Sequence, residues 1–97
     1  MAQTHRISKN NTTVRTADGK TTVTLHSTAV LIHDPAAKTA VLNSGGWHSS
    51  TTKTRINQAC NEFGLGIGVL QRKFDWFVSL IDGREVPFHD GMTVATR

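Results

Sequence analysis

The run from Leu42 to Asn57 holds Gly45, Gly46, Trp47, His48, a row of hydroxyls and the cations Lys53 and Arg55, and it joins an apolar strand-like segment to a helical one. That chemistry suits an anion. Free backbone N–H groups at a helix start carry partial positive charge, and glycines let a ligand approach the main chain closely. Ser50, Thr51 and Thr52 add hydroxyl donors, and the paired glycines can turn further N–H groups into a concavity. Lys53 and Arg55 read as first-turn residues, where a cation opposes the helix dipole at a cost of about 0.3–1 kcal/mol unless an anion sits nearby. Trp47 would cover such a ligand or stack on a base. The candidate binding set is therefore Gly45, Gly46, Trp47, His48, Ser50, Thr51, Thr52, Lys53 and Arg55. An architectural reading uses the same residues: the glycines shape a strand-to-helix corner, the hydroxyls cap, the cations are solvated and Trp47 lids the helix–sheet junction.

Other chemistry is thinly supplied. No Gly-Lys-Ser/Thr occurs, and the second glycine lies seven residues before Lys53, so the segment departs from the phosphate loop of nucleotide hydrolases. His26 and His33 have no carboxylate or cysteine at ligand spacing, while His33-Asp34 and His89-Asp90 read as turn neighbours; no metal site is expected. Cys60 falls on the apolar stripe of the helix, where a thiol is inert unless its pKa is lowered. His48 beside Ser49 and Ser50 is adjacency without geometry. Of seven acidic residues, Asp18, Asp34, Asp75 and Asp82 fall at turn positions, which leaves little for a paired acid and base. The expectation is a binding protein without enzymatic activity or cofactor.

The elements that position these residues follow from patterning. Asp18-Gly19 and Asp82-Gly83 each separate strand-like runs and supply the positive φ of hairpin turns. The first joins Thr12–Ala17 to Lys20–His26, where Val23 and Leu25 alternate with threonines. Ala29–Ile32 ends at the turn-forming His33-Asp34-Pro35, and Thr39–Asn43 returns. Ile56, Ala59, Cys60 and Phe63 recur at helical spacing, with Ser49, Ser50 or Thr51 as cap and Gly64 as a left-handed stop. Ile67–Arg72 and Trp76–Ile81 then read as strands about a polar turn near Lys73–Asp75, followed by Arg84–Phe88. The aromatic set is expected mostly inside, with one of Trp76 and Phe77 exposed because neighbours in a strand face opposite ways. This is an α+β chain: an antiparallel sheet of about five to seven strands with one short helix, about 51–63, on one face.

Ninety-seven residues suit one domain spanning 1–97. Fourteen threonines favour strands. Net charge is +4, which permits attraction to phosphates or to an acidic protein. Arg6, Lys9, Arg15 and Lys20 against Asp18 concentrate it near the N-terminus, so that the first twenty residues read as an ordered hairpin or a partly mobile arm, with 1–11 as the flexible basic part. One cysteine excludes an internal disulfide, and no window approaches the roughly twenty apolar residues of a membrane helix.

The pieces Val23–Thr28, Leu42–Trp47, Thr51–Gln58, Phe63–Gly66, Phe74–Trp76 and Pro87–Met92 together resemble small proteins encoded by tailed bacteriophages. The pairing of Ser-Gly-Gly-Trp with Thr-Thr-Lys-x-Arg-Ile-Asn carries most of that likeness. The resemblance implies a setting more than a mechanism: an accessory protein acting in the cytoplasm of the infected bacterium. Combined with the glycine loop, it leads to a non-enzymatic protein that binds a phosphate-bearing ligand such as nucleic acid. Two alternatives stand beside it: an inhibitor that contacts a host or anti-phage defence protein, and a binder of a small nucleotide signal. Self-association through open sheet edges fits any of them.

Overall fold

The computed structural model describes residues 12–46 and 50–97. The arm read into residues 1–11, and Trp47, His48 and Ser49, the first of the three cap candidates, lie outside the described residues. Four strands run first as an antiparallel meander: β1 (Thr12–Ala17), β2 (Lys20–Leu25), β3 (Thr28–Asp34) and β4 (Thr39–Leu42). Helix α1 (Ser50–Phe63) follows, then β5 (Gly68–Arg72), β6 (Asp75–Ser79), β7 (Glu85–Pro87) and β8 (Met92–Ala95). The α+β class with one helix is the architecture expected from the sequence. The strands, however, divide into two antiparallel sheets, one ordered β1-β2-β3-β4-β8 and the other β5-β6-β7.

Local chemistry explains most boundaries. Asp18 and Gly19 both take positive φ, which matches the twist of the β1–β2 hairpin. The Asp82-Gly83 hairpin is looser: Gly83 N–H bonds Leu80 O and Leu80 N–H bonds Arg84 O, with only Gly83 of that pair at positive φ. His33 and Asp34 complete β3 and are not turn residues. A register shift opposite Val23 and Thr24 leaves Val30 as the extra residue, so Val30 and Leu31 both enter the core from consecutive positions. Helix α1 ends as its glycine requires. Gly64 sits at φ 64°, Leu65 N–H reaches Cys60 O at 3.0 Å and Gly64 N–H reaches Asn61 O at 3.3 Å.

One apolar cluster links both sheets through the helix. Ile56, Ala59 and Cys60 of α1 meet Val23, Leu25, Val30, Leu31 and Leu42 of the larger sheet and Val69, Trp76 and Val78 of the smaller. Phe63 is half-buried and stacks on His33 at 6.1 Å, while Trp76 meets Phe88 edge-on at 5.3 Å. Trp76 is buried and Phe77 half-buried. Phe74 departs from the aromatic expectation: it lies in the turn after β5 and is 90% exposed. Asn57 fastens the helix to β5 by donating to Val69 O at 2.9 Å and accepting from Val69 N–H at 2.7 Å.

Candidate functional site at the helix start

The corner between β4 and α1 is anchored from the far end of the chain. Asp90 Oδ1 accepts from Ser44 N–H at 2.8 Å and from Ser44 Oγ at 2.7 Å, and Gly91 N–H donates to Leu42 O. Asn43 Oδ1 accepts Gly45 N–H at 2.7 Å, and Ser44 Oγ accepts Gly46 N–H at 3.3 Å. Both glycines lie at positive φ. Their surroundings separate them. A β-carbon on Gly45 would meet Thr28 Oγ1 at 2.6 Å, whereas one on Gly46 would meet nothing within 4 Å. Gly45 therefore serves the packing of the corner on β3, and Gly46 faces open space.

Beside this corner lies a cavity of about 400 Å³. Its hydroxyl lining comes from three elements: Ser27 and Thr28 at the β2–β3 turn, Ser44 in the corner, and Thr51 and Thr52 in the first turn of α1. Leu25 and Val30 form its apolar part, and His26, held at φ 57°, completes the rim. The first turn of α1 contains no acidic residue, so no side chain there offsets the positive end of the helix. A hydroxyl-rich recess at such an end can hold an oxyanion through neutral donors without burying a cation.

The sequence-derived set is dispersed around this cavity. Thr51 and Thr52 line it, Gly45 and Gly46 form the adjoining corner, and Ser50 opens the helix, exposed. Lys53 reaches the other flank, where its Nζ donates to Gln71 Oε1 at 3.4 Å. Arg55 is the sixth residue of α1 and so belongs to the second turn, a correction to the first-turn placement. It is 9% exposed, donating from Nε to Thr12 Oγ1 at 3.1 Å and from Nη1 to Gln58 Oε1 at 3.3 Å. That geometry ties the start of β1 to the helix. His26, Ser27, Thr28 and Ser44 were missed as site residues. A His-Ser-Thr run at a strand turn was the available signal.

Burial pushes the Cys60 thiol up to about 12, which keeps it protonated and unreactive at neutral pH. Among the described residues, no three of His, Cys, Asp and Glu gather where they could hold a metal ion. No helix among them is long and apolar enough to cross a membrane.

Fold and corner together define a small α+β protein with a hydroxyl-lined recess at the start of its one described helix. Its sequence matches the family model described as the Kyanoviridae Gp96 protein over residues 1–95, and the chain belongs to that phage protein family. No curated protein and no solved structure matches it.

Proposed function

We propose that this phage protein is a non-enzymatic accessory that binds a phosphate-bearing ligand, nucleic acid above all, at the corner between β4 and α1. The observation that carries the reading is the cavity at the helix start, where hydroxyls of Ser27, Thr28, Thr51 and Thr52 line a recess against a first helical turn without acidic side chains, and Ser44, bonded to Asp90, forms its wall. A phosphate entering there accepts neutral hydrogen bonds and meets the positive end of the helix dipole. Lys53, on the other flank of the helix beside β5, adds charge for a neighbouring phosphate. Arg55 has the separate task of holding β1 to the helix.

A free nucleotide is the second reading, favoured by the recess volume, which falls within the usual range for small-molecule sites. Both share the phosphate chemistry. Titration of isotope-labelled protein with a short single-stranded oligonucleotide, followed by amide chemical shifts, tests the site. The reading expects saturable shifts focused on Ser27, Thr28, Ser44, Thr51 and Thr52. Shifts confined to the opposite end of the helix, or none, contradict it. Displacement of the oligonucleotide by a stoichiometric mononucleotide would select the second reading.

A further inference from the structure

We infer that the β5–β6 hairpin is a stacking finger, with Phe74 as the platform for an unpaired base of single-stranded nucleic acid. The inference rests on the phosphate-binding reading and names the form of its ligand. The hairpin turn contains only Lys73 and Phe74, at φ 49° and 75°. Neither is glycine or asparagine, the residues that adopt this geometry readily, so local preference is overridden at both positions. The result is an aromatic ring 90% exposed at the hairpin tip.

The tip's position follows from two contacts. Asn57 bonds Val69, and Lys53 bonds Gln71, so α1 and β5 run in opposite directions. Lys73 and Phe74 face each other one step past the Arg72–Asp75 pair, so the tip lies two residues beyond Gln71, roughly 6.5 Å of strand. The helix start lies three residues before Lys53, about 4.5 Å of helix. The tip therefore lies level with the helix start to within about 2 Å, on the difference of those rises. Its charges are Lys73 at the tip and Lys53 at its base. Arg72 is engaged with Glu85 at 2.9 Å, and Asp75 is the acidic neighbour.

The chemistry around the ring selects the occupant. Gln71, Arg72, Lys73 and Asp75 beside it are all exposed and polar. A protein docking site gathers several apolar side chains around an anchor, and a membrane-inserting tip needs more than one ring. A single ring beside cations suits a base, which offers one π-face while its phosphates meet the lysines.

The test is fluorescence anisotropy of a labelled oligothymidylate of about ten nucleotides, within the usual single-strand site size, with wild type, Phe74→Asn, Phe74→Trp and Lys53→Ala. Asparagine accepts the turn's positive φ, so Phe74→Asn should raise Tm by a few degrees while weakening binding about tenfold. Phe74→Trp should retain wild-type affinity. A merely structural residue would not lose binding while gaining stability. If Phe74→Asn binds like wild type while Lys53→Ala weakens binding, the finger is wrong and the phosphate site stands. If wild type does not bind, both fall. Loss of anionic-vesicle binding in Phe74→Asn with oligonucleotide affinity unchanged would make the finger a membrane contact and overturn the inference.

Discussion

Gly45 and Gly46 share a positive φ but are held by different constraints, and substitution separates them. Gly45→Ala meets Thr28 at 2.6 Å in addition to left-handed backbone strain, so it should cost about 2 kcal/mol or more in urea unfolding. Gly46→Ala carries the strain alone, about 1 kcal/mol. Equal costs would mean that the corner relaxes away from Thr28. Cys60 makes a prediction in pH. Its thiol ionises near 12 in the folded protein against an ordinary 9.0, so unfolded chains lose the proton first. The group's contribution is fully present below about pH 9 and is lost as pH rises towards 12. Stability measured from pH 8 upwards should fall more steeply for wild type than for Cys60→Ala. Parallel curves would show that the thiol is not shielded. Residue types announced the glycines' flexibility and the thiol's burial, but the sequence did not reveal Thr28 as the neighbour that makes Gly45 necessary.

At the scale of elements, the legible features were the ones closed by local chemistry. Asp18-Gly19, the Ile56–Ala59–Cys60 stripe and the Gly64 stop each depend on residues within a few positions, and each sits where the pattern placed it. The division into two sheets did not show, because it turns on pairing between distant segments. β8 returns from the end of the chain to β4, with Met92 opposite Leu42 and Val94 opposite Ala40, and its four residues offered too short an alternation to stand out. The turn near Lys73–Asp75 was legible from its polarity, but its left-handed geometry was not, since neither Lys73 nor Phe74 advertises positive φ. The bond between α1 and the second sheet was equally hidden. Asn57 satisfies both backbone groups of Val69, so Asn57→Ala should leave a part-buried donor and acceptor unpaired and cost about 2 kcal/mol. A drop in the urea midpoint measures it. An unchanged midpoint would mean that water replaces the amide.

For the molecule as a whole, the two sheets and the helix bring the corner, Lys53 and the β5–β6 finger to one end. The hydroxyl recess could not be assembled from sequence because its lining comes from a turn, a corner and a helix far apart in the chain. Arg55, assigned to that site by proximity in sequence, turns inward because the second turn of the helix faces the start of β1. Binding dominated by phosphates must weaken with salt, by about 0.7 in the logarithmic slope for each phosphate neutralised on a single strand. The most direct measurement is anisotropy of labelled single-stranded DNA and RNA titrated with wild-type protein at low and moderate salt, alongside Lys53→Ala. The account predicts saturable binding that weakens with salt, and a slope shallower by about 0.7 in the variant. No binding at low salt, or binding indifferent to both salt and Lys53, would contradict it.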